Sequence, residues 1–174
     1  MTTRSTVPVW LRAAAFIVVV PGAIAGWLPW YVAGAPPLPP SPWWSARTAG
    51  LAVAALGWGV LLWCARDFAR RGRGTPAPYD PPRALVTSGL YRFVRNPMYV
   101  GVVTAILGQA WWYRSRAALV YAAAIAVMFH LRVVLYEEPR LARDFGDEFD
   151  AYRARVPRWV PLLRRRGGAR EPAA

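Results

Sequence analysis

The chain has no lysine: its 22 basic residues are all arginine, set against nine acidic residues and one histidine. We take the missing lysine as a compositional bias of the source, with no chemistry attached to it. Cysteine is nearly absent as well. Cys64 stands alone in an apolar run, which excludes a disulfide framework, and with a single histidine it leaves no Cys/His spacing that would hold a metal. The scarcity of acid leaves a net charge of +13, yet the arginines fall between long apolar stretches and do not form one basic face, so nucleic acid is not the partner. No internal repeat is visible. What the chain has in quantity is apolar and aromatic surface, with 56% hydrophobic residues and ten tryptophans. That is too much for a soluble chain of 174 residues, so the solvent is a bilayer.

The expected fold class is all-α, an integral membrane protein of about four transmembrane helices in a single membrane domain, with spans at about 10–32, 46–65, 97–113 and 116–136. Each is a long apolar run, and a helix rising 1.5 Å per residue crosses a hydrocarbon core of about 30 Å in about 20 residues. Ala33-Gly34-Ala35 has the small residues of a signal-peptide cleavage site, but the preceding segment is longer and richer in Trp and Pro than a signal core. Pro21 and Pro29 predict kinks in the first span, and Gly22 and Gly26 predict a close helix approach. Residues 34–42 read as a stiff, proline-rich connection.

Arg66, Arg70, Arg71, Arg73 and Arg83 load the 66–96 loop with positive charge. Arg4 and Arg12 precede the first span, and Arg140, Arg143, Arg153, Arg155, Arg158 and Arg164 to Arg166 lie in the 137–174 tail. By the positive-inside rule the loop and both termini are cytoplasmic, in a multi-pass protein of the cell membrane. Trp27, Trp30, Tyr31, Trp43, Trp44, Trp111, Trp112 and Tyr113 then fall at the outer ends as aromatic belts. Only Arg114 and Ser115 separate the last two spans, so these form an antiparallel C-terminal helical hairpin. In the tail, Leu141, Phe145, Phe149, Tyr152 and Val156 recur at helical spacing, which predicts an amphipathic helix on the membrane surface or against the loop.

The densest block of chemistry is Leu85 to Gly101, where a loop rich in aromatics and arginine feeds a helix start at Asn96-Pro97. Asn96 suits the N-cap and Pro97 the first helical position, and such a terminus attracts a carboxylate or phosphate, with Arg92 and Arg95 adding charge beside it. The hairpin geometry brings Arg95, Asn96, Pro97 and Tyr99 to the same membrane face as Glu137 and Glu138. The alternative for the acidic pair is a surface ion-pair cluster with Arg92, Arg95 or Arg140. His130, about 10 Å deeper than Glu137 by helical rise, reads as a packed or locally hydrogen-bonded histidine.

Leu85 to Gly101, Glu137-Glu138, Leu141, Phe145-Gly146, Tyr152 and Val156-Pro157 together resemble the signature of the isoprenylcysteine carboxyl methyltransferase and phospholipid methyltransferase superfamily, over about half the chain. The resemblance implies a membrane enzyme that transfers a methyl group from S-adenosylmethionine (SAM) to the O, N or S atom of a lipophilic or small acceptor, without a metal. It implies cofactor contacts from Arg83, Ala84, Leu85, Val86, Tyr91, Asn96, Pro97, Met98, Tyr99 and Glu137. Arg95, Arg132 and Glu138 are the candidate catalytic side chains. The cofactor's charges suit these positions: its carboxylate at the helix start, its ammonium or ribose at Glu137, its sulfonium on the face of Tyr91 or Tyr99.

Two positions depart from the pattern of members that methylate prenylated cysteine. Asn96 replaces a histidine, and Val133 stands four residues before Glu137, where those enzymes place an arginine for the substrate carboxylate. Arg132 is one position off. Two other classes stay open: a membrane reductase of the sterol reductase type using NADPH, and a non-enzymatic scaffold or transporter subunit.

Overall fold

A computed structural model describes residues 19–35, 46–71 and 84–161. The first part of the expected first span, the connection through 36–45, the loop from 72 to Arg83 and the tail from Leu162 lie outside the described residues. Among the described residues the regular structure is entirely helical. Helix α1 is Val19–Val32, α2 is Thr48–Arg71, α3 is Pro97–Tyr113, α4 is Arg116–Phe145 and α5 is Asp147–Arg155. A short 3-10 turn, Gly89–Arg92, lies between α2 and α3.

Two of these helices, α2 over Thr48–Asp67 and α4, are long and apolar enough to cross a membrane. Only 33% and 28% of their most apolar windows are buried, whereas the core helix of a soluble protein is mostly buried. Leu56, Val120 and Leu135 are 63%, 68% and 72% exposed. Apolar faces this bare need an apolar solvent.

Alpha3 begins and ends where its sequence signals fall. Pro97 occupies the first turn, and Arg114 closes the helix in the left-handed region at φ 51°. Ser115 then caps α4 by accepting from the Ala118 amide at 3.2 Å. Alpha2 runs six residues beyond the expected end at Ala65, so the start of the expected loop is helical. Nothing from Arg66 to Arg71 breaks a helix.

The helices meet on small residues. Ala25 of α1, Leu61 and Ala65 of α2, Val102, Ala105 and Ile106 of α3, and Ala122, Ile125 and Phe129 of α4 form one buried cluster. The close backbone approach expected at Gly26 is not there, and one is found between α2 and α3. A methyl group at Gly26 would meet Trp58 at an ordinary 3.6 Å. At Gly50 it would lie 2.7 Å from the Gly108 carbonyl oxygen, and at Gly57 2.6 Å from that of Gly101. Glycine on both helices therefore sets the backbone separation.

Alpha1 widens after Pro21 into a π-helical turn, Gly22–Trp27. Tyr121 of α4 donates to the Ile24 carbonyl at 2.9 Å, and Gln109 of α3 donates to that of Ala25, so the widened turn is tied to both helices of the hairpin.

Gly57→Leu is expected to force α2 from α3 and lower the thermal midpoint of the purified protein, at the overpacking cost of about 1–3 kcal/mol. Gly59 has nothing within 4 Å of the corresponding position, so Gly59→Ala should leave the midpoint unchanged or raise it slightly. Equal midpoints for the two variants would contradict the seam.

Candidate functional site

The loop reaches the start of α3 through a buried seat. Asp67, 5% exposed near the end of α2, packs against Gly89, which has φ +63°. A side chain at Gly89 would run into the Asp67 carboxylate, so both the backbone angle and the contact require glycine. Val86 and Tyr91 then pack on Cys64, with Val60, Leu90 and Met98 around them. Burial, reinforced by the neighbouring Cys64 thiol, pushes the Tyr91 phenol well above its ordinary value and keeps it neutral. Tyr91 thus anchors the loop, and the aromatic ring beside Glu137 belongs to Tyr99.

The hairpin assembles the polar corner. Tyr99, in the first turn of α3, donates its hydroxyl to Glu137. Arg132 Nε donates to the Glu137 carboxylate at 2.8 Å and to the Tyr99 hydroxyl at 3.2 Å. Tyr99 also packs on Phe129, with ring centroids 4.3 Å apart.

Arg132 reaches Glu137 because α4 is not a regular α-helix there. Residues five apart on an α-helix point about 140° away from each other. Val133–Glu137 form a π-helical turn, whose i→i+5 pattern lines up residues five apart. Through this widened turn Arg132 stands over Glu137.

Glu138 faces the other way and collects two arginines. Arg158 donates to it from Nε and Nη2, both at 2.7 Å, and Arg95 approaches at 3.0 Å. Burial raises the Glu138 carboxyl, but the hydrogen bonds from Arg158 and the charges of Arg95 and Arg158 outweigh it and hold the group below its ordinary value. Burial lowers the Arg95 guanidinium against the opposing pull of Glu138.

Asn96 occupies the N-cap position without a side-chain cap bond. Its amide Nδ2 instead donates to the Arg158 carbonyl at 3.3 Å. That departure from the expected capping role leaves the first turn of α3 without a side-chain acceptor. Arg92 lies over the Phe93 ring, 4.5 Å from its centroid. Ala84 is exposed, and Leu85 packs under the tail.

The tail forms the last wall. Gly146, at φ +49°, breaks the expected continuous helix into the end of α4 and α5. Phe149, Tyr152 and Val156 nevertheless gather with Leu85, Leu141, Ala142 and Phe145 against the loop. Tyr152 donates to the Tyr91 carbonyl at 2.7 Å, and the Arg95 amide donates to the Pro157 carbonyl at 2.8 Å. Asp67, Arg158 and Trp159 were not singled out from sequence as site residues. An acidic residue directly before a basic loop is the signal that marks Asp67, and nothing local in the sequence marks the other two.

An uncapped helix start, a carboxylate held by a tyrosine and an arginine, and a loop clamped over them at one end of a hairpin define a polar site in a membrane-type helical bundle. The chain belongs to the phospholipid methyltransferase family, whose profile matches residues 45–148. It is 33% identical to a protein-S-isoprenylcysteine O-methyltransferase of Schizosaccharomyces pombe over 45% of this chain and 34% of that one. The cobalt-zinc-cadmium resistance protein CzcN of Cupriavidus metallidurans is 32% identical over 66% of this chain and 47% of its own. Methanethiol S-methyltransferase 1 of Bradyrhizobium diazoefficiens is 34% identical over 48% and 28%. The chain thus matches less than half the length of each of these relatives.

Because the folded state holds Glu138 below the usual carboxylate range, the stability it contributes is present above that range and is lost as pH falls through the depressed value. Glu138→Gln should lower the thermal midpoint at pH 7, and its difference from the parent should shrink steadily on acidification below the ordinary carboxylate range. A difference that holds constant down to pH 3 would show that the Glu138 charge does not carry the clamp.

Proposed function

We propose that the chain is a SAM-dependent methyltransferase working at the cytoplasmic membrane face, on a lipophilic or small acceptor delivered from the lipid. The observation that carries this is the Tyr99–Glu137–Arg132 corner beside the uncapped start of α3. Family membership and relatives named for methyl transfer to isoprenylcysteine and methanethiol support it. In this reading α1, α2 as far as Ala65, α3, and α4 as far as Tyr136 are four spans, and the arginine-rich loop, the termini and the site face the cytoplasm.

The donor set fits the cofactor's charges. Glu137 offers oxygens to an ammonium or a ribose hydroxyl, the first turn of α3 offers amides to a carboxylate, and the Tyr99 ring offers its face to a cation. Ala84 to Val86, Tyr91 and Asn96 to Met98 flank the cofactor from the loop side, and Arg83, the remaining expected contact, lies outside the described residues. When bound, SAM supplies an electrophilic methyl group. The residues of the chain then position and enclose the acceptor, since in-line displacement gains most of its rate from orientation and exclusion of water.

Arg132 holds Glu137 in place and presents its remaining N–H groups toward an acceptor head group. Arg95 and Glu138 keep the loop closed on the hairpin and so act on catalysis through position.

Purified protein in nanodiscs, given SAM labelled in the methyl group and native lipids or small thiols, should transfer label to an acceptor. Glu137→Gln should weaken SAM binding by about 1.5–3 kcal/mol, or roughly 10- to 150-fold, the worth of a hydrogen bond to a charged group. SAM affinity that is unchanged in a folded Glu137→Gln protein would place the cofactor elsewhere, and binding of NADPH in place of SAM would overturn the activity.

A further inference from the structure

Residues 157–159 have no regular secondary structure, yet each is fixed to the site by a separate contact. The Pro157 carbonyl accepts from the Arg95 amide at 2.8 Å, and the Arg158 carbonyl accepts from Asn96 at 3.3 Å. The Arg158 side chain is held by Glu138 at 2.7 Å. Trp159 donates its indole N–H to His130 Nδ1 at 3.2 Å, with ring centroids 6.1 Å apart. The strap thus carries an indole from the tail onto the α4 face one turn before Val133, where the π-helical turn begins.

Trp159 lies half-buried against the apolar cluster that includes Phe129, and Phe129 in turn packs on Tyr99. His130 and Leu131 beside it are exposed on the apolar, lipid-facing side of α4. Trp159 therefore links His130 on the open face of α4 to the apolar packing that includes Phe129, the ring on which Tyr99 rests.

We propose that Trp159 is the specificity-determining residue for the acceptor: a rigid wall that admits a slim chain or a small molecule and turns away bulky or branched ones. This rests on the methyltransferase reading above. A wall works only if it cannot swing aside, and here the backbone is pinned at Pro157 and Arg158 while the ring is pinned at His130. An indole adds large, stiff contact area with few rotatable bonds, so it discriminates by width. His130 is the positioning residue for that wall, and its tautomer must leave Nδ1 free to accept.

The test uses the full chain in nanodiscs and a series of acceptors sharing one head group that the parent methylates, with attached groups running from methyl through straight alkyl to branched isoprenoid. The readout is the ratio of kcat/KM for the bulkiest acceptor to that for the smallest, alongside the SAM dissociation constant. Trp159→Ala should raise the ratio about 10-fold or more, the discrimination one or two misplaced carbons give in an apolar pocket. Trp159→Phe and His130→Ala should raise it by less, and all three should bind SAM as the parent does. A ratio unchanged in Trp159→Phe and Trp159→Ala, or an equal loss for every acceptor, would show that the strap is only structural. If the parent itself transfers no methyl group to any acceptor, the methyltransferase reading fails and the wall falls with it. A working parent with an unchanged ratio overturns the wall alone.

Discussion

The clasp at Glu138 is the interaction on which the rest of the site depends. One carboxylate on α4 holds Arg95 from the loop and Arg158 from the tail, with side chains only 12% to 31% exposed. Three segments far apart in sequence are joined through a single charged group, two cations to one anion. Such a cluster is stable only when the anion stays ionised, and removing the carboxylate leaves two partly buried guanidinium groups without compensation. The backbone bonds from Arg95 to Pro157 and from Tyr152 to Tyr91 run alongside it. The loop over the start of α3 is therefore closed by electrostatics and by main-chain bonding together.

The helices below supply the rigid base for this clasp. Alpha2 and α3 approach at Gly50, Gly57, Gly101 and Gly108, and in lipid such close packing replaces the hydrophobic drive that water would provide. Alpha2 also carries Asp67 and Cys64 up to the loop, so the seam that joins the helices fixes the height at which Gly89 and Tyr91 sit. Two π-helical turns do different work within this frame. The one in α1 hands carbonyls to Tyr121 and Gln109, and the one in α4 turns Arg132 onto Glu137.

Legibility in the sequence followed how local each signal was. The bounds of α3 could be read because Asn96-Pro97 and Arg114-Ser115 are strong punctuation, and the meeting of Tyr99 with Glu137 and of Arg95 with Glu138 followed from so short a hairpin turn. The end of α2 was missed because charge marks a membrane boundary and not a helix boundary. The bond from Arg132 to Glu137 could not be read, because a π-helical turn has no dependable sequence signature. Gly146 was visible, but the apolar spacing from Leu141 to Val156 runs through it and hides the break. Arg158 and Trp159 were invisible as site residues, since their partners lie 20 and 29 positions away and depend on how the tail folds back.

The proposed seat of the cofactor, between the loop, the start of α3 and the end of α4, is open to direct measurement. Direct photolabelling with SAM bearing a labelled methyl group, followed by peptide mapping of the purified protein, measures this with no assumption about the acceptor. Label is expected only on peptides spanning residues 84–99 and the region around Glu137, and it should be displaced by excess unlabelled cofactor. Displaceable label on α1, or on the hairpin turn around Arg114 and Ser115, would contradict it.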